Sequence, residues 1–144
     1  MRVQLDLPEN FTFQTQIPVR ITDINYGNHL GNDAILSMMH EARVQFLQNL
    51  GYTELEIEGA GLIMSDTAII YKGEGFYGDI LTVQVTAEDL SKYGFDLFYL
   101  FANQNGKEIA RAKTGMLCFN YATRKLMSLP EKAAAKLQNG KKNG

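Results

Sequence analysis

The run from Ala34 to Gly51, AILSMMHEARVQFLQNLG, most constrains the fold, because it predicts one long helix in a chain otherwise rich in strand patterns. Its apolar residues recur at helical spacing, at Ile35, Met39, Ala42, Phe46 and Leu50, with Met38 and Leu47 widening the stripe. Asn32 or Asp33 is placed to cap its N-terminus, and Gly51 is placed to end it. The pattern therefore predicts an amphipathic helix of about five turns.

Strand-like segments fill most of the remaining chain. Residues alternate between apolar and polar from Phe11 to Ile21, and Pro18 within this segment indicates an edge strand or a bulge. Four further strands are predicted after the helix, in LIMSDTAIIYKG, DILTVQVTAEDL, FDLFYLFANQ and KEIARAKTGMLCFNY. Asn105-Gly106, between the last two, predicts a type I′ hairpin turn. A short helix in PEKAAAKLQ closes the chain.

This order of elements predicts a single α+β domain over residues 1–137, followed by a flexible tail over residues 138–144. One helix cannot cover both faces of a five- or six-stranded sheet. Wrapping the sheet around the helix buries one face, and a second subunit would extend the sheet or cover an open edge. We therefore expect a homodimer.

Composition and charge exclude several classes of function. The net charge is −2 and the chain has no basic stripe, which argues against a nucleic-acid partner. It contains no signal-peptide core and no apolar run near the roughly 18 residues that a membrane span requires. The single Cys118 excludes an internal disulfide and favours a reducing compartment. We expect a cytoplasmic protein.

The turn TDINYGNHLGND, at residues 22–33, carries more polar groups than a turn requires. If the helix begins near Asn32, its unpaired N–H groups and the positive end of its dipole point at this turn. Such a place stabilises a carbonyl oxygen that gains negative charge. His29 can donate a hydrogen bond or move a proton near neutral pH. Asp23 can orient an imidazole or the loop backbone, whereas Asn25 cannot act as a general base.

Glu41 lies near the edge of the apolar stripe of the helix, a partly shielded setting that suits a general base. Simpler structural explanations exist for these residues, namely turn and capping chemistry, a solvated histidine, or a polar pair of Glu41 with Arg43, Gln45 or a solvent-side lysine. His29, His40 and Cys118 make a poor zinc set. The sequence has neither a phosphate-binding glycine loop nor a nucleophile elbow.

The segment VRITDINYGNHLGNDAILSMMHEARVQFLQNLG resembles hotdog-fold thioesterases of the 4-hydroxybenzoyl-CoA thioesterase type. Those proteins read V-R-x-x-D-x-D, then G-H-V-N-N, then a helix with E-A-R. The matching residues are Arg20, Asp23, His29, Asn32, Glu41, Ala42, Arg43, Phe46 and Leu47. The resemblance implies a hotdog fold, in which a curved antiparallel sheet wraps around one long central helix, assembled as a homodimer or a dimer of dimers.

The resemblance also implies an enzyme that hydrolyses an acyl-CoA thioester, with coenzyme A as part of the substrate and no separate cofactor. The carbonyl would lie between subunits at the helix N-terminus, where the N–H of Asn32 matches the position of a donor. Asn25 occupies the place of a carboxylate that one branch uses as nucleophile or base. By analogy, His29 or Glu41 would activate water, while Asn25 helps to position the carbonyl, and Asp23 completes the candidate site.

Two other functions remain open at this point. A hotdog protein that binds acyl-CoA without hydrolysing it would explain the missing carboxylate at Asn25. A hotdog enoyl-CoA hydratase or dehydratase carries an Asp-x-Asn-Pro-x-His motif. Asp23, Asn25 and His29 approach this motif with one extra residue and without the proline.

Overall fold

An antiparallel sheet packs around one long helix, and a second helix closes the chain. The computed structural model describes residues 1–142. The elements in chain order are β1 (Phe13–Pro18), a 3-10 helix (Ile21–Asp23), α1 (Asn32–Asn49), β2 (Gly61–Tyr71), β3 (Ile80–Glu88), β4 (Gly94–Ala102), β5 (Glu108–Asn120), β6 (Lys125–Leu126) and α2 (Glu131–Lys142). The strand order β1-β3-β4-β5-β2, with β6 beside β5, makes β1 and β2 the sheet edges. The predicted α+β architecture is confirmed.

Helix α1 turns its apolar face to the inner face of the sheet. Its buried residues are Ala34, Ile35, Met38, Met39, Ala42, Arg43, Phe46 and Leu47. On the facing strand β3, the buried Leu81, Val83 and Val85 alternate with the less buried Thr82 and Gln84. Burying each such apolar side chain contributes about 1.5–3 kcal/mol. This packing fixes α1 on the sheet and so fixes where the helix N-terminus points.

A polar network crosses this apolar core. The Arg43 guanidinium is buried; it donates to the Tyr99 hydroxyl at 3.2 Å and to Glu54 Oε2 at 3.4 Å. The Tyr99 hydroxyl also lies 2.8 Å from Thr114 Oγ1. Arg43 therefore ties α1 to β4 and to the loop after α1, and Tyr99 links β4 to β5. Of the partners considered for Glu41, the structure has Gln45 and not Arg43.

Helix α1 begins differently from the prediction. Its N-cap is Gly31, in extended conformation and without a side-chain cap, so the expected capping by Asn32 or Asp33 is wrong. A Cβ on Gly31 would lie 2.6 Å from Asp33 Oδ1, because that carboxylate folds back over the glycine. At the other end Gly51, with φ +86°, donates to Gln48 O at 2.9 Å and ends the helix as predicted.

The hairpin between β4 and β5 also differs from the prediction. Asn103 N–H donates to Lys107 O at 2.9 Å, and Gly106 N–H donates to Asn103 O at 2.9 Å. Gly106 has φ +79°, whereas Asn105 is not among the described residues with positive φ. A type I′ turn needs positive φ at both central residues, so that prediction is wrong. Three residues form this loop instead, and only the last of them is left-handed.

The first strand and the last helix have shifted ends. Strand β1 stops at Pro18, on an edge as predicted, and the chain then forms the 3-10 helix instead of continuing as a strand to Ile21. Helix α2 buries Ala133 and Leu137 and continues to Lys142, past the expected domain boundary at residue 137. Residues 138–142 of the expected tail are thus helical, and residues 143–144 lie outside the described residues. In the described part of the chain, neither helix is long and apolar enough to cross a membrane.

Candidate active site

The turn before α1 is built around Asn25. Its Oδ1 accepts hydrogen bonds from the N–H of Gly27 at 2.9 Å and of His29 at 3.2 Å. Its own N–H donates to His29 O at 2.8 Å, and its carbonyl accepts from Asn28 N–H at 3.0 Å. Asn28 takes a left-handed φ of 66°, which asparagine tolerates well. Asn25 therefore holds both backbone polar groups of His29, and its side-chain oxygen is used within the turn.

The loop at residues 73–78 packs directly on this turn. Leu30 N–H donates to Gly75 O at 2.8 Å. A Cβ on Gly75 would lie 2.9 Å from Leu30 Cβ, so only glycine permits this close approach. The contact places Phe76 and Glu74 beside the imidazole of His29. The Phe76 ring lies edge-on to it, with centroids 5.3 Å apart, and Glu74 Oε1 lies 3.8 Å from His29 Nδ1.

A small cavity joins this turn to the N-terminus of α1. It has a volume of about 160 Å³ and is lined by Asn25, His29, Leu30, Asn32, Ile35, Tyr71, Gly73, Glu74, Gly75 and Ile109. Within the described residues, the N–H of Asn32 has no hydrogen-bond acceptor, as is usual for a first helical turn. The Tyr71 hydroxyl lies 3.5 Å from Asn32 O. This arrangement suits an oxygen that carries negative charge.

Asp23 and Glu41 line a different cavity, of about 330 Å³, between β1 and α1. Residue 41 follows residue 32 by nine positions, which is roughly 13 Å along the helix and half a turn out of phase. Glu41 Oε2 accepts from Gln45 Nε2 at 2.7 Å, and Gln45 Oε1 accepts from the Thr15 hydroxyl. Within one chain, Glu41 and the helix N-terminus therefore face separate cavities.

Asp23 serves the backbone of the turn. Its buried carboxylate accepts from Arg20 N–H at 2.8 Å and from Arg20 Nε and Nη2 at 3.3 and 3.2 Å. Burial alone would raise the pKa of this carboxyl, but the hydrogen bonds from Arg20 outweigh burial and lower it. The carbonyl of Asp23 accepts from Gly31 N–H at 2.9 Å, just before the helix. Asp23 was expected to orient either an imidazole or the loop backbone, and its contacts are with the loop backbone and Arg20.

Sequence reasoning did not identify Glu74. No spacing in the sequence connects Glu74 with His29. The single hint was a glutamate between two glycines, a place where backbone often approaches another segment closely. Only the fold brings this loop against the turn.

One long helix packed against an antiparallel sheet, with a polar cavity at the helix N-terminus, defines a hotdog-fold protein. The chain belongs to the thioesterase-like superfamily, whose family model matches residues 19–137. This confirms the resemblance at the level of the superfamily. A comparison with curated protein sequences gave no match.

Solved structures with the same fold include three that are instructive. A 1,4-dihydroxy-2-naphthoyl-CoA thioesterase from Synechocystis is 22% identical, with 87% of this chain and 94% of that chain covered and a TM-score of 0.79. A DHNA-CoA thioesterase from Staphylococcus aureus is 21% identical, with 91% and 93% covered and a TM-score of 0.80. A hypothetical protein from Staphylococcus aureus, solved in complex with CoA, is 20% identical, with 97% and 89% covered and a TM-score of 0.83.

Proposed function

We propose that this protein is an acyl-CoA thioesterase whose reaction takes place at the N-terminus of α1. The observation that carries the proposal is the cavity shared by His29, Asn25 and the N–H of Asn32. It combines a group that can accept a proton with a donor for a developing oxyanion. Membership of the thioesterase-like superfamily supports the same activity.

In the proposed reaction the thioester carbonyl oxygen accepts the hydrogen bond of Asn32 N–H. His29 takes a proton from water while the water oxygen attacks the carbonyl carbon. The tetrahedral oxyanion is stabilised by the same N–H and by the helix dipole. The carbon–sulfur bond then breaks, and His29 returns its proton to the departing sulfur, so that coenzyme A leaves as the free thiol. Coenzyme A enters as part of the substrate, and the reaction uses no further cofactor.

The sequence left either His29 or Glu41 as the base, and we propose His29. His29 lines the cavity at the helix N-terminus, whereas Glu41 lines the other one. Asn25 cannot replace the carboxylate of the related branch, but it holds the backbone of His29 through two hydrogen bonds. We therefore propose that Asn25 supports the base, and that Asp23 supports the turn that carries both.

We further propose that a second copy of the chain completes the site. The cavity of about 160 Å³ is below the roughly 300–1,000 Å³ of small-molecule sites. Strand β2 is paired on one side only in the described part of the chain, and its residues 64–67 are exposed. Pairing β2 with β2 of a partner would form a homodimer and extend the wall of the cavity. Two such dimers would give the expected dimer of dimers.

A panel of acyl-CoA substrates tests which acyl group the protein hydrolyses, and hydroxylated aryl acyl-CoAs are tested first. Two of the similar structures are named for 1,4-dihydroxy-2-naphthoyl-CoA and DHNA-CoA, and another for gentisyl-coenzyme A. The 4-hydroxybenzoyl-CoA substrate of the branch that the sequence resembles belongs in the same panel. Straight-chain acyl-CoAs of several lengths complete it, and free thiol is the product measured.

His29→Ala tests the proposed base. We expect it to lower kcat for thiol release at least about tenfold, the lower range for acid–base roles. Glu41→Gln should keep most of the activity, and so should His40→Gln, the matched control, because His40 lines neither cavity. If His29→Ala keeps full activity and Glu41→Gln loses activity, the base is Glu41 in the second cavity and not His29.

Two results would replace the proposed activity itself. Binding of acyl-CoA without thiol release across the whole panel would indicate a non-catalytic acyl-CoA-binding protein. Hydration of an enoyl-CoA without thiol release would indicate a hydratase.

A further inference from the structure

We propose that Glu74 is a positioning residue that holds Nδ1–H of His29 and so leaves Nε2 as the nitrogen that takes the proton. The inference rests on the proposed function, since it concerns the base of the same site. Glu74 and His29 line the same cavity, and Glu74 Oε1 lies 3.8 Å from His29 Nδ1. A distance slightly beyond a hydrogen bond is common for catalytic pairs before substrate binds.

The backbone that carries Glu74 is fixed next to His29. The neighbouring Gly75 accepts a hydrogen bond from Leu30 N–H at 2.8 Å, and Leu30 follows His29 directly. A Cβ on Gly75 would lie within 3.0 Å of two side-chain atoms of Leu30, so the two segments touch at this point. The Glu74 side chain is 64% exposed, and its Oε1 already lies on the Nδ1 side of the imidazole.

The backbone of His29 is held by Asn25, and its ring packs against one neighbour, with 42% of the side chain exposed. Asn25 holds the backbone N–H and C=O of His29, at 3.2 and 2.8 Å. The Phe76 ring meets the imidazole edge-on, at an interplanar angle of 88°. Phe76 and Glu74 belong to one short loop, so this loop supplies both the packing contact and the acceptor. A carboxylate that accepts from one ring nitrogen fixes the tautomer and makes the other nitrogen the base.

A second histidine–glutamate pair in the chain lies outside the proposed site. His40 Nε2 lies 2.8 Å from Glu54 Oε1, and Glu54 also accepts from Arg43. Neither His40 nor Glu54 lines the two cavities described above. The chain therefore holds one such pair at the proposed site and one in a structural network.

The first test measures the tautomer of His29 by ¹⁵N NMR. The chain has two histidines, so His40→Gln leaves the signals of His29 alone. In this background we expect neutral His29 to carry its proton mainly on Nδ1. Glu74→Gln should retain that tautomer, because an amide oxygen still accepts, whereas Glu74→Ala should shift it to the Nε2–H form that free histidine prefers. The same tautomer in all three proteins would overturn the proposal.

The second test is kinetic. Glu74→Ala should lower kcat about tenfold or more with little change in KM, and Glu74→Gln should recover most of the loss. In the His29→Ala background, Glu74→Ala should have no further effect, because it acts through the imidazole. Glu9→Ala, an exposed glutamate outside this cavity, is the control expected to keep wild-type kinetics.

The outcomes separate this inference from the proposed function. If His29→Ala abolishes thiol release while Glu74→Ala leaves kcat unchanged, the role of Glu74 is wrong and the thioesterase proposal stands. If the wild-type protein releases no thiol, the proposed function fails. The NMR measurement then still decides whether Glu74 and His29 form the pair.

Discussion

Replacing Asn25 tests whether this amide supports His29. Asn25→Ala removes the acceptor of two backbone hydrogen bonds, from Gly27 N–H at 2.9 Å and from His29 N–H at 3.2 Å. A hydrogen bond contributes about 0.5–1.5 kcal/mol, and these two are exposed, so we expect a loss of about 1–2 kcal/mol in local stability. Since about 1.4 kcal/mol corresponds to a factor of ten, the turn should open roughly 5- to 30-fold more often.

Amide hydrogen exchange measures this opening directly. The amides of Gly27 and His29 should exchange roughly 5- to 30-fold faster in Asn25→Ala, while amides in the core strands keep their rates. Thiol release should fall with the loss of order at His29. Asn25→Asp is the matched control, because a carboxylate oxygen accepts the same two bonds. Unchanged exchange in Asn25→Ala, or equally fast exchange in Asn25→Asp, would refute the supporting role of Asn25.

Two further predictions concern an acidic and a sulfur side chain. The pKa of Asp23 is lowered in the folded protein from its ordinary 3.8, so ionised Asp23 stabilises the fold above that value and the contribution is lost as the pH falls further. Urea unfolding at pH 7 and at pH 3 gives the free energy of unfolding of wild type and of Asp23→Asn. We expect the difference between the two proteins to be smaller at pH 3 than at pH 7, and an equal difference at both pH values would contradict this. Cys118 is fully buried and burial raises the pKa of its thiol, so a disulfide reagent should label it only in denaturant, and rapid labelling of the native protein would contradict that.

The fold was predictable where many residues carry one pattern. Ile35, Met39 and Phe46 repeat at helical spacing, and the structure has α1 from Asn32 to Asn49. The errors lie where one or two residues decide. Gly31 is the N-cap although it has no side-chain capping group, and the hairpin has a third loop residue that the Asn-Gly pair alone does not reveal.

The candidate site was predictable only in its contiguous part. Asn25, His29 and Asn32 are close in sequence and line one cavity. Glu41 was chosen by its place on the helix stripe, but the rotation along α1 turns it towards β1. Glu74 was missed because its contact with His29 depends on how two distant loops pack. The homodimer and the cytoplasmic location stay predictions, and so does the flexibility of the tail, of which residues 138–142 are helical.

The two edges of the sheet differ in a way that bears on polymer growth. Strand β1 has six residues and ends at Pro18, which has no N–H to offer a new strand, whereas β2 has eleven residues. If both β1 and β2 could pair with a strand of another chain, each added chain would present a new unpaired edge strand, and a fibre would grow without limit. An edge strand that pairs only with the same strand of a second copy is fully paired once the dimer has formed, and this edge is no longer open to a third chain. Pro18 therefore leaves one position of the β1 edge without an N–H donor, which disfavours the addition of a strand there.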